Sequence, residues 1–213
     1  MRRVFFIVGP TASGKSEIAA EVARACDGEV VGADAFQIYA GLDLLTAKPE
    51  ARVRQLAPHH LIGEVALSEE MNAELFRARA LQAIEQIHRR AKPAFVVGGS
   101  GMYLKALTHG LSPLPRANPA LRERLQQLSE GELFVRLETL DPAMARTIDR
   151  KNKRRLVRAL EVCLLTGRPV PQQRTSPGPA REPAGVFLFR DRAELYQRIN
   201  DRVRAMFGDG VVE

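Results

Sequence analysis

RVFFIVGPTASGKS, at residues 3–16, is the stretch that decides the fold. Its first half, Arg3 to Val8, is a short apolar run of the kind that forms a buried β-strand. Its second half, Gly9 to Ser16, matches the pattern G-x-x-x-x-G-K-[ST], and Lys15 to Cys26 reads as a helix with Ile18, Val22 and Ala25 on its apolar face. A strand, a glycine-rich turn and a helix in this order predict a phosphate-binding loop.

The loop supplies the chemical groups that a phosphate needs. Glycines let the backbone wrap around the anion so that N–H groups and the helix N-terminus face it, and the lysine adds a full positive charge. The Ser16 hydroxyl is suited to ligate Mg²⁺. The residues that we expect to bind phosphate are Gly9, Thr11, Ala12, Ser13, Gly14, Lys15 and Ser16. The motif indicates a phosphorylated ligand and does not specify ATP.

Two further apolar strands end in residues that carry chemistry. The strand Glu29 to Gly32 is followed by Asp34, which is either a general base or second-shell magnesium partner, or else a helix N-cap. The strand Ala94 to Val97 is followed by Gly98-Gly99-Ser100-Gly101, which either presents the Ser100 hydroxyl or simply makes a tight turn. Because ligands bind beyond the carboxyl ends of parallel strands, both segments belong near the phosphate loop.

The alternation of strands and helices predicts an α/β fold, with a P-loop NTPase-like parallel sheet flanked by helices on both faces. We expect Ser68 to be the N-cap of a central helix. The apolar face predicted for that helix comprises Met71, Leu75, Ala78, Leu81 and Ile84.

The character of the chain changes after Gly110, where helical periodicity replaces strands. We predict a core at residues 1–111, a small all-helical insertion at 112–183 that ends in an exposed loop from Pro169 to Pro183, and a return to the core at 184–213. The returning segment has a strand at Val186 to Phe189 and a helix at Ala193 to Phe207.

Positive charge is concentrated in the predicted insertion. The net charge is +7, and residues 142–174 hold nine Lys or Arg against two acids. Lys151, Arg154, Arg155 and Arg158 recur at helical spacing, opposite an apolar face of Leu156, Leu160 and Cys163. A solvated charged face is the ordinary explanation of such a run, but the backbone of a nucleic acid would neutralise it.

Several other classes of protein are disfavoured. No apolar run reaches the roughly 18 residues of a membrane helix. Cys26 and Cys163 lie far apart, which favours buried thiols in a cytoplasmic protein over a disulfide or a zinc site. His59 and His60 have no Cys or acid at ligand spacing, which favours a structural role.

Taken together, these motifs resemble one family, the tRNA dimethylallyltransferases. The resemblance covers nearly the whole chain. The matching stretches are Gly9 to Ser16, Asp34 to Tyr39, Thr46-Ala47-Lys48-Pro49, His59 to Ile62, Gly98 to Leu107, Leu140-Asp141-Pro142, Arg155 to Val162, Leu195 to Ile199, and Arg202-Val203 with Met206.

The resemblance implies transfer of the dimethylallyl group of dimethylallyl diphosphate to N6 of the adenosine 3′ of the anticodon, with Mg²⁺ as cofactor. It implies that Asp34 and Ser100 are catalytic. The residues that it assigns to tRNA contact are Asp34, Ala35, Phe36, Gln37, Ser100, Arg122, Arg154, Arg155, Leu156, Val157 and Arg158. The implied partners are the anticodon stem-loop and the isoprenoid diphosphate, with no membrane and no obligate protein partner.

The sequence departs from the family pattern in places. Ala35 stands where Ser is usual, Ser100 where Thr is usual, Gly63 where Asp is common and Asn152 where Asp is frequent. Family chains continue past Glu213 with further helices, so we expect a shortened C-terminus and exposed apolar surface.

Three other functions compete with this one. A small-molecule or nucleotide kinase would need only the phosphate loop and an arginine-rich lid. A prenyltransferase acting on free adenine nucleotide would share the chemistry without needing the basic insertion. A catalytically inactive RNA-binding remnant would follow from a missing C-terminus.

Overall fold

The structure is a computed structural model that describes residues 4–112, 114–170 and 183–211. The chain divides into two compact units. One unit comprises Met1–Gly110 together with Pro179–Glu213, and the other comprises Leu111–Gly178. The sequence-based boundaries, after residues 111 and 183, lie close to these divisions.

The first unit contains a five-stranded sheet in the order β3-β2-β4-β1-β5. Every neighbouring pair of strands is parallel, which confirms the predicted sheet. The strands are β1 (Val4–Val8), β2 (Glu29–Ala33), β3 (His59–His60), β4 (Ala94–Gly98) and β5 (Gly185–Phe187).

Helices complete both units. Those of the first unit are α1 (Lys15–Ala25), α2 (Ala51–Arg54), α3 (Ala73–Arg89), α4 (Gly101–His109) and α9 (Arg192–Gly208). Those of the second are α5 (Pro119–Gln126), α6 (Glu130–Leu140), α7 (Pro142–Thr147) and α8 (Lys153–Thr166).

Apolar layers on both faces of the sheet hold the first unit together. Successive side chains of a strand point to opposite faces, so Phe6 and Ile7 of β1 enter different layers. Phe6 belongs to the cluster that contains Phe76 of α3, and Ile7 to the cluster that contains Ala19 of α1. The prediction of helices on both faces is thus confirmed.

The face that α1 packs on the sheet differs from the predicted one. Its buried residues are Ala19, Ala20 and Ala23, whereas Ile18 is 39% exposed. Small alanine side chains let a helix lie close to a sheet, and bulky residues at the same spacing would hold the helix further away. Hydrophobicity alone therefore misplaced Ile18 and Ala25, whereas the predicted Val22 does pack, partly buried, against the sheet cluster.

The prediction for α3 was wrong at its start and correct only in part along its face, since the predicted Met71 and Leu81 pack, partly buried, against the core. The Asn72 side chain, not Ser68, is the N-cap, because its Oδ1 accepts hydrogen bonds from the N–H groups of Glu74 and Leu75. Phe76 is fully buried and stacks on Tyr103 with ring centroids 3.9 Å apart. This buried contact determines which face of α3 packs against the core. The residues buried on it are Phe76, Ala80, Ala83, Ile84 and Ile87, of which only Ile84 was predicted.

The second unit contains only helices in the part of it that is described, packed around leucines such as Leu133, Leu137 and Leu160. Asp141 is fully buried and joins two segments. Its Oδ1 caps α7 by accepting from the Met144 N–H, and its Oδ2 accepts from the Val170 N–H at 2.8 Å. Val170 is buried, so the predicted exposed loop cannot begin at Pro169; its residues 171–182 lie outside the described ranges.

The last strand and helix expose apolar side chains. β5 lies at an edge of the sheet and α9 buries no residue fully. Phe187, Phe189 and Phe207 are 66%, 76% and 64% exposed. Cys26 is also exposed, which corrects the prediction of a buried thiol, whereas Cys163 is buried as predicted. None of the described helices has the length and apolar content that crossing a bilayer requires.

Candidate active site

The phosphate-binding loop connects β1 to α1 and is closely packed. Its first glycine is required by space, because a Cβ on Gly9 would lie 2.5 Å from the carbonyl oxygen of Leu188. Gly14 is the N-cap of α1 with φ +91, a backbone conformation that favours glycine. The loop therefore turns sharply and leaves the N-terminus of α1 open, where free N–H groups attract anions.

Two side chains of the loop have polar groups that suit an anionic ligand. The Lys15 ammonium donates a hydrogen bond to the Pro10 carbonyl at 2.5 Å. Burial lowers the pKa of Lys15 below its ordinary value; Asp34 opposes this shift and Arg202 adds to it. The Ser13 hydroxyl is buried and has no hydrogen-bond partner among the described residues. A polar group buried without a partner is costly, which favours a polar ligand.

Three arginines from the C-terminal part of the first unit contact this loop. Arg190 donates to the Ser13 carbonyl at 3.1 Å, and Arg198 donates to the Ala12 carbonyl at 2.8 Å. Arg202 donates from one terminal nitrogen to the Thr11 hydroxyl at 2.7 Å. Its Nε is buried and unpartnered among the described residues. The loop acceptors are uncharged, so the contacts of Arg198 and Arg202 leave the positive charge of their guanidinium groups available to an anion, whereas Arg190 also pairs with Glu194.

Asp34 follows β2, and its charge acts on Lys15. Its Oδ1 accepts hydrogen bonds from the N–H groups of Phe36 at 2.9 Å and Gln37 at 3.2 Å. Its Oδ2 accepts none from the described part of the chain. The capping alternative is thus real, but it occupies one oxygen only. The other oxygen remains able to accept a proton or a further hydrogen bond.

Ser100 is tied to the same place by its neighbours. Its Oγ accepts a hydrogen bond from the Ala35 N–H at 3.0 Å, so the hydroxyl proton is still free to be donated. The approach of the two strands depends on glycine, since a Cβ on Gly98 would lie 2.1 Å from the carbonyl oxygen of Ala33. The glycines of this turn therefore have a structural cause, and Ser100 still lies beside Asp34.

Exposed and anchored side chains surround Asp34. Phe36 is 69% exposed and Met102 is 61% exposed. The Gln37 amide nitrogen donates to the carbonyls of Thr46 and Ala47, which fixes the following loop and leaves Gln37 Oε1 as an acceptor. Lys48 anchors that loop through an ion pair with Asp43.

The helical unit uses two of its predicted RNA-binding arginines internally. Glu161 is fully buried, and both Arg122 and Arg158 donate to its carboxylate, as does the Asn118 N–H. Burial raises the pKa of Glu161, but the hydrogen bonds from Arg122, the Asn118 N–H and Arg158 outweigh it and hold that pKa below its ordinary value. The side chains of Arg122 and Arg158 are still 31% and 35% exposed.

The cationic face of α8 is smaller than predicted. Lys151 precedes the helix, and Arg158 pairs with Glu161 one turn further on. Arg154 and Arg155 are exposed and form no ion pair with the described residues. Leu156 and Val157 are buried in the core of the unit, so their side chains do not face solvent. Leu160 and Cys163 are also buried, as predicted for the opposite face.

Comparison with known proteins identifies the family. The family described as IPP transferase matches residues 37–213. The tRNA dimethylallyltransferase 2 of Geotalea uraniireducens is 41% identical over 99% of this chain and 70% of its own length. A eukaryotic dimethylallyltransferase crystallised while acting on tRNA has a TM-score of 0.81 at 27% identity, over 98% of this chain and 54% of that one. This chain belongs to the IPP transferase family.

The tRNA isopentenylpyrophosphate transferase of Bacillus halodurans has a similar fold. It superposes with a TM-score of 0.63 at 34% identity, over 99% of this chain and 67% of that one. Membership of the IPP transferases, which include the tRNA dimethylallyltransferases, confirms the resemblance seen in the sequence. It also argues against a kinase.

The three arginines that contact the phosphate loop had no role in the sequence analysis. Arg198 and Arg202 lie in stretches that carry the resemblance to the IPP transferases, but spacing does not reveal which loop a helix will reach. Arg190 lies in no motif. The sequence did contain one signal for Arg198 and Arg202. They are four residues apart on one helix, so their side chains lie on the same face.

His59 and His60 are held by structural contacts. His59 Nδ1 is 2.8 Å from the Ala57 carbonyl, and burial lowers the pKa of His59. His60 Nε2 is 2.7 Å from the carboxylate of Glu29, which also binds Arg90. Within the described ranges, no group of three His, Cys, Asp or Glu residues could hold a metal ion.

Proposed function

We propose that this chain transfers the dimethylallyl group of dimethylallyl diphosphate to N6 of the adenosine 3′ of the anticodon of a tRNA. The observation that carries the proposal is the pairing of two features. A carboxylate with one free oxygen, on Asp34, acts electrostatically on Lys15 of a phosphate loop that three arginines also contact. The first feature suits a weak nucleophile and the second suits a diphosphate leaving group.

The phosphate loop is the proposed diphosphate site. The loop N–H groups, the Lys15 ammonium, the Ser13 hydroxyl and the buried Nε of Arg202 are the donors available there. A diphosphate brings several negative oxygens, which such donors stabilise far better in a partly buried site than in water. The donors would bind most strongly when the leaving diphosphate carries its full charge, which lowers the barrier to its departure.

Asp34 is the proposed general base. The N6 lone pair is delocalised into the adenine ring, so the amine is a poor nucleophile. As N6 bonds to C1 of the dimethylallyl group, the bond from C1 to the diphosphate oxygen breaks, and the diphosphate leaves with that electron pair. The N6 proton passes to Oδ2 of Asp34, while Oδ1 is held by Phe36 and Gln37.

Residues around Asp34 are suited to an unstacked base. N6 is reached only when the base leaves its stack, at a cost of about a few kcal/mol. The exposed Phe36 ring offers a stacking surface, and Gln37 Oε1 and the Ser100 hydroxyl offer hydrogen bonds to base edges. Ala35 contributes its backbone through the Ser100 contact.

Cationic residues of the helical unit are proposed to bind the RNA backbone. Arg154 and Arg155 are exposed and unpaired within the described residues, so they are the strongest candidates. Arg122 and Arg158 remain partly exposed while bound to Glu161. Leu156 and Val157, whose side chains are buried, contribute by fixing the helix that carries the arginines.

Mg²⁺ is a proposed cofactor, and the donor set fits it in one respect. A magnesium ion bound to a diphosphate needs only one or two protein ligands, because phosphate oxygens and water complete its shell. Ser16 is the candidate ligand. When bound, the ion would neutralise charge on the leaving diphosphate. The cytoplasmic location stays a prediction.

A transfer assay tests this proposal. Dimethylallyl diphosphate labelled in its isoprenoid group is mixed with an anticodon stem-loop, with and without Mg²⁺, and the RNA is digested to nucleosides. Label on N6 of the adenosine 3′ of the anticodon is the expected result. A matched stem-loop with N6-dimethylated adenosine at that position should accept none. Failure to label the RNA, with RNA and pyrophosphate binding both intact, would favour an inactive RNA-binding protein.

A further inference from the structure

Two of the arginines at the phosphate loop contact it through the backbone. Both use the same atom, Nε, which donates to the Ser13 carbonyl from Arg190 and to the Ala12 carbonyl from Arg198. Arg202 differs, because it contacts a side-chain hydroxyl and keeps a buried nitrogen free within the described residues. The hydrogen bonds of Arg190 and Arg198 to the loop are thus made to its backbone.

The geometry of the peptide group links these contacts to the diphosphate. In a trans peptide, the C=O and the N–H of one unit point in opposite directions, and no described peptide bond is cis. The Ser13 carbonyl shares its unit with the Gly14 N–H, at the N-terminus of α1. A cation on the carbonyl side therefore lies behind an N–H that points the other way. Hydrogen bonding to a carbonyl also strengthens the N–H of the same unit as a donor.

The loop backbone needs such support. Ala12 has φ +61, in the left-handed region that residues with a Cβ seldom adopt. The Arg198 contact holds the carbonyl of that same residue, and the Arg190 contact holds the next one. Two consecutive peptide units are thereby fixed between a strained residue and the start of α1.

We propose that Arg190 is a positioning residue that acts on the diphosphate through the Ser13–Gly14 peptide unit. Arg198 holds the preceding unit, whose Ser13 N–H donates within the loop to the Pro10 carbonyl at 3.4 Å. Arg190 orients and polarises the Gly14 N–H, while Lys15 and Arg202 supply charge to the ligand itself. This inference rests on the proposed function, since it takes the loop to hold a diphosphate.

The side chain of Arg190 allows a clean test. Gln carries Nε2 at the same number of bonds from the backbone as the Nε of Arg, and Met carries a methyl group there. Gln therefore keeps the donor and loses the charge, whereas Met loses both. Arg190 also forms an ion pair with Glu194, so the comparison is made in a Glu194→Ala background to avoid leaving an unpaired carboxylate.

The experiment measures pyrophosphate and anticodon stem-loop binding by calorimetry, and thermal unfolding, for E194A, R190Q/E194A and R190M/E194A. The Met variant should bind pyrophosphate about tenfold more weakly than E194A, because a charged hydrogen bond to the loop is lost. The Gln variant should recover to within about threefold of E194A, since the donor is restored. Stem-loop affinity and the melting temperature should stay unchanged in both.

Three results would overturn the inference. Equal weakening in the Gln and Met variants would mean that the charge of Arg190 contacts the ligand directly. Equal binding in all three proteins would mean that the contact has no role. A loss of stem-loop affinity and melting temperature along with pyrophosphate affinity would mean a merely structural role. If E194A binds pyrophosphate but transfers no label to RNA, the proposed function fails while the positioning test still stands.

Discussion

Arginines in the two units of this protein face opposite kinds of acceptor. At the phosphate loop, Arg198 and Arg202 donate to a backbone carbonyl and a hydroxyl, which carry no net charge. In the helical unit, Arg122 and Arg158 share the buried carboxylate of Glu161. At these four positions the same residue type therefore keeps its charge available beside the phosphate loop and has it largely neutralised around Glu161.

The two kinds of contact have different consequences: one favours the binding of an anionic ligand and the other stabilises the folded protein. Cations gathered around neutral acceptors repel one another, so a site of this kind is stabilised by an anionic ligand. A carboxylate that is fully buried and bound by two guanidinium groups stabilises the protein instead, since removing it would leave those cations without a partner. Counting basic residues along the sequence cannot tell these two cases apart.

The largest effect should come from removing the acid of the helical unit. Glu161→Ala should destabilise that unit by about 3 kcal/mol, because it breaks a buried ion-pair network. Urea denaturation followed by circular dichroism measures the change. Glu161→Gln, which keeps an acceptor for the Asn118 N–H, should cost less. Pyrophosphate affinity should stay within about twofold in both variants. A loss under 1 kcal/mol in the Ala variant would contradict the structural role assigned here.

The second-largest effect should be on ligand binding and not on stability. Arg202→Ala should weaken pyrophosphate binding about 100-fold, or roughly 2.7 kcal/mol. The free energy of unfolding should change little, because Arg202 forms no ion pair with the described residues. The control is Arg204→Ala, which removes an exposed arginine two residues away that pairs with Asp201. If the two variants bind pyrophosphate equally well, Arg202 is not a ligand of the diphosphate.

A smaller effect distinguishes the free arginines of α8 from the paired ones. Arg155→Ala should lower the slope of log K against log salt for stem-loop binding by about 0.7, the value expected for one phosphate contact to a single strand. Arg89→Ala serves as the control, since Arg89 is an exposed arginine of the other unit. An unchanged slope in the Arg155 variant would remove this residue from the RNA-binding surface.

Much of the fold follows from the sequence, for local reasons. The run from Val4 to Ser16 combines strand, turn and helix signals within a few residues, and the parallel sheet follows from their repetition. Helix faces were harder to predict, since hydrophobicity favoured Ile18 on α1, whereas the residues that the helix buries are Ala19, Ala20 and Ala23. The packing distance between a helix and a sheet is set by the tertiary structure and cannot be predicted from the spacing of apolar residues along the sequence.

Some features of the candidate site could likewise be predicted from the sequence, and others could not. The proximity of Asp34 to Lys15 could be predicted, because each residue follows a strand of the same parallel sheet. Arg190 and Arg198 were missed, because their partners Ser13 and Ala12 lie more than 170 residues away along the chain. Arg158 was assigned to a cationic face from its spacing to the other cations, whereas in the structure it pairs with Glu161 one turn further on. Long-range contacts and charge compensation require the folded structure.

The most direct test of the account is single-turnover transfer by Asp34→Asn beside the unchanged chain. Asn keeps an acceptor for the N–H groups of Phe36 and Gln37 but cannot take up a proton. We predict a fall of about 10³-fold in the rate of label transfer to the stem-loop, with pyrophosphate and RNA affinities retained. A rate within a few fold of the unchanged chain would contradict Asp34 as the base.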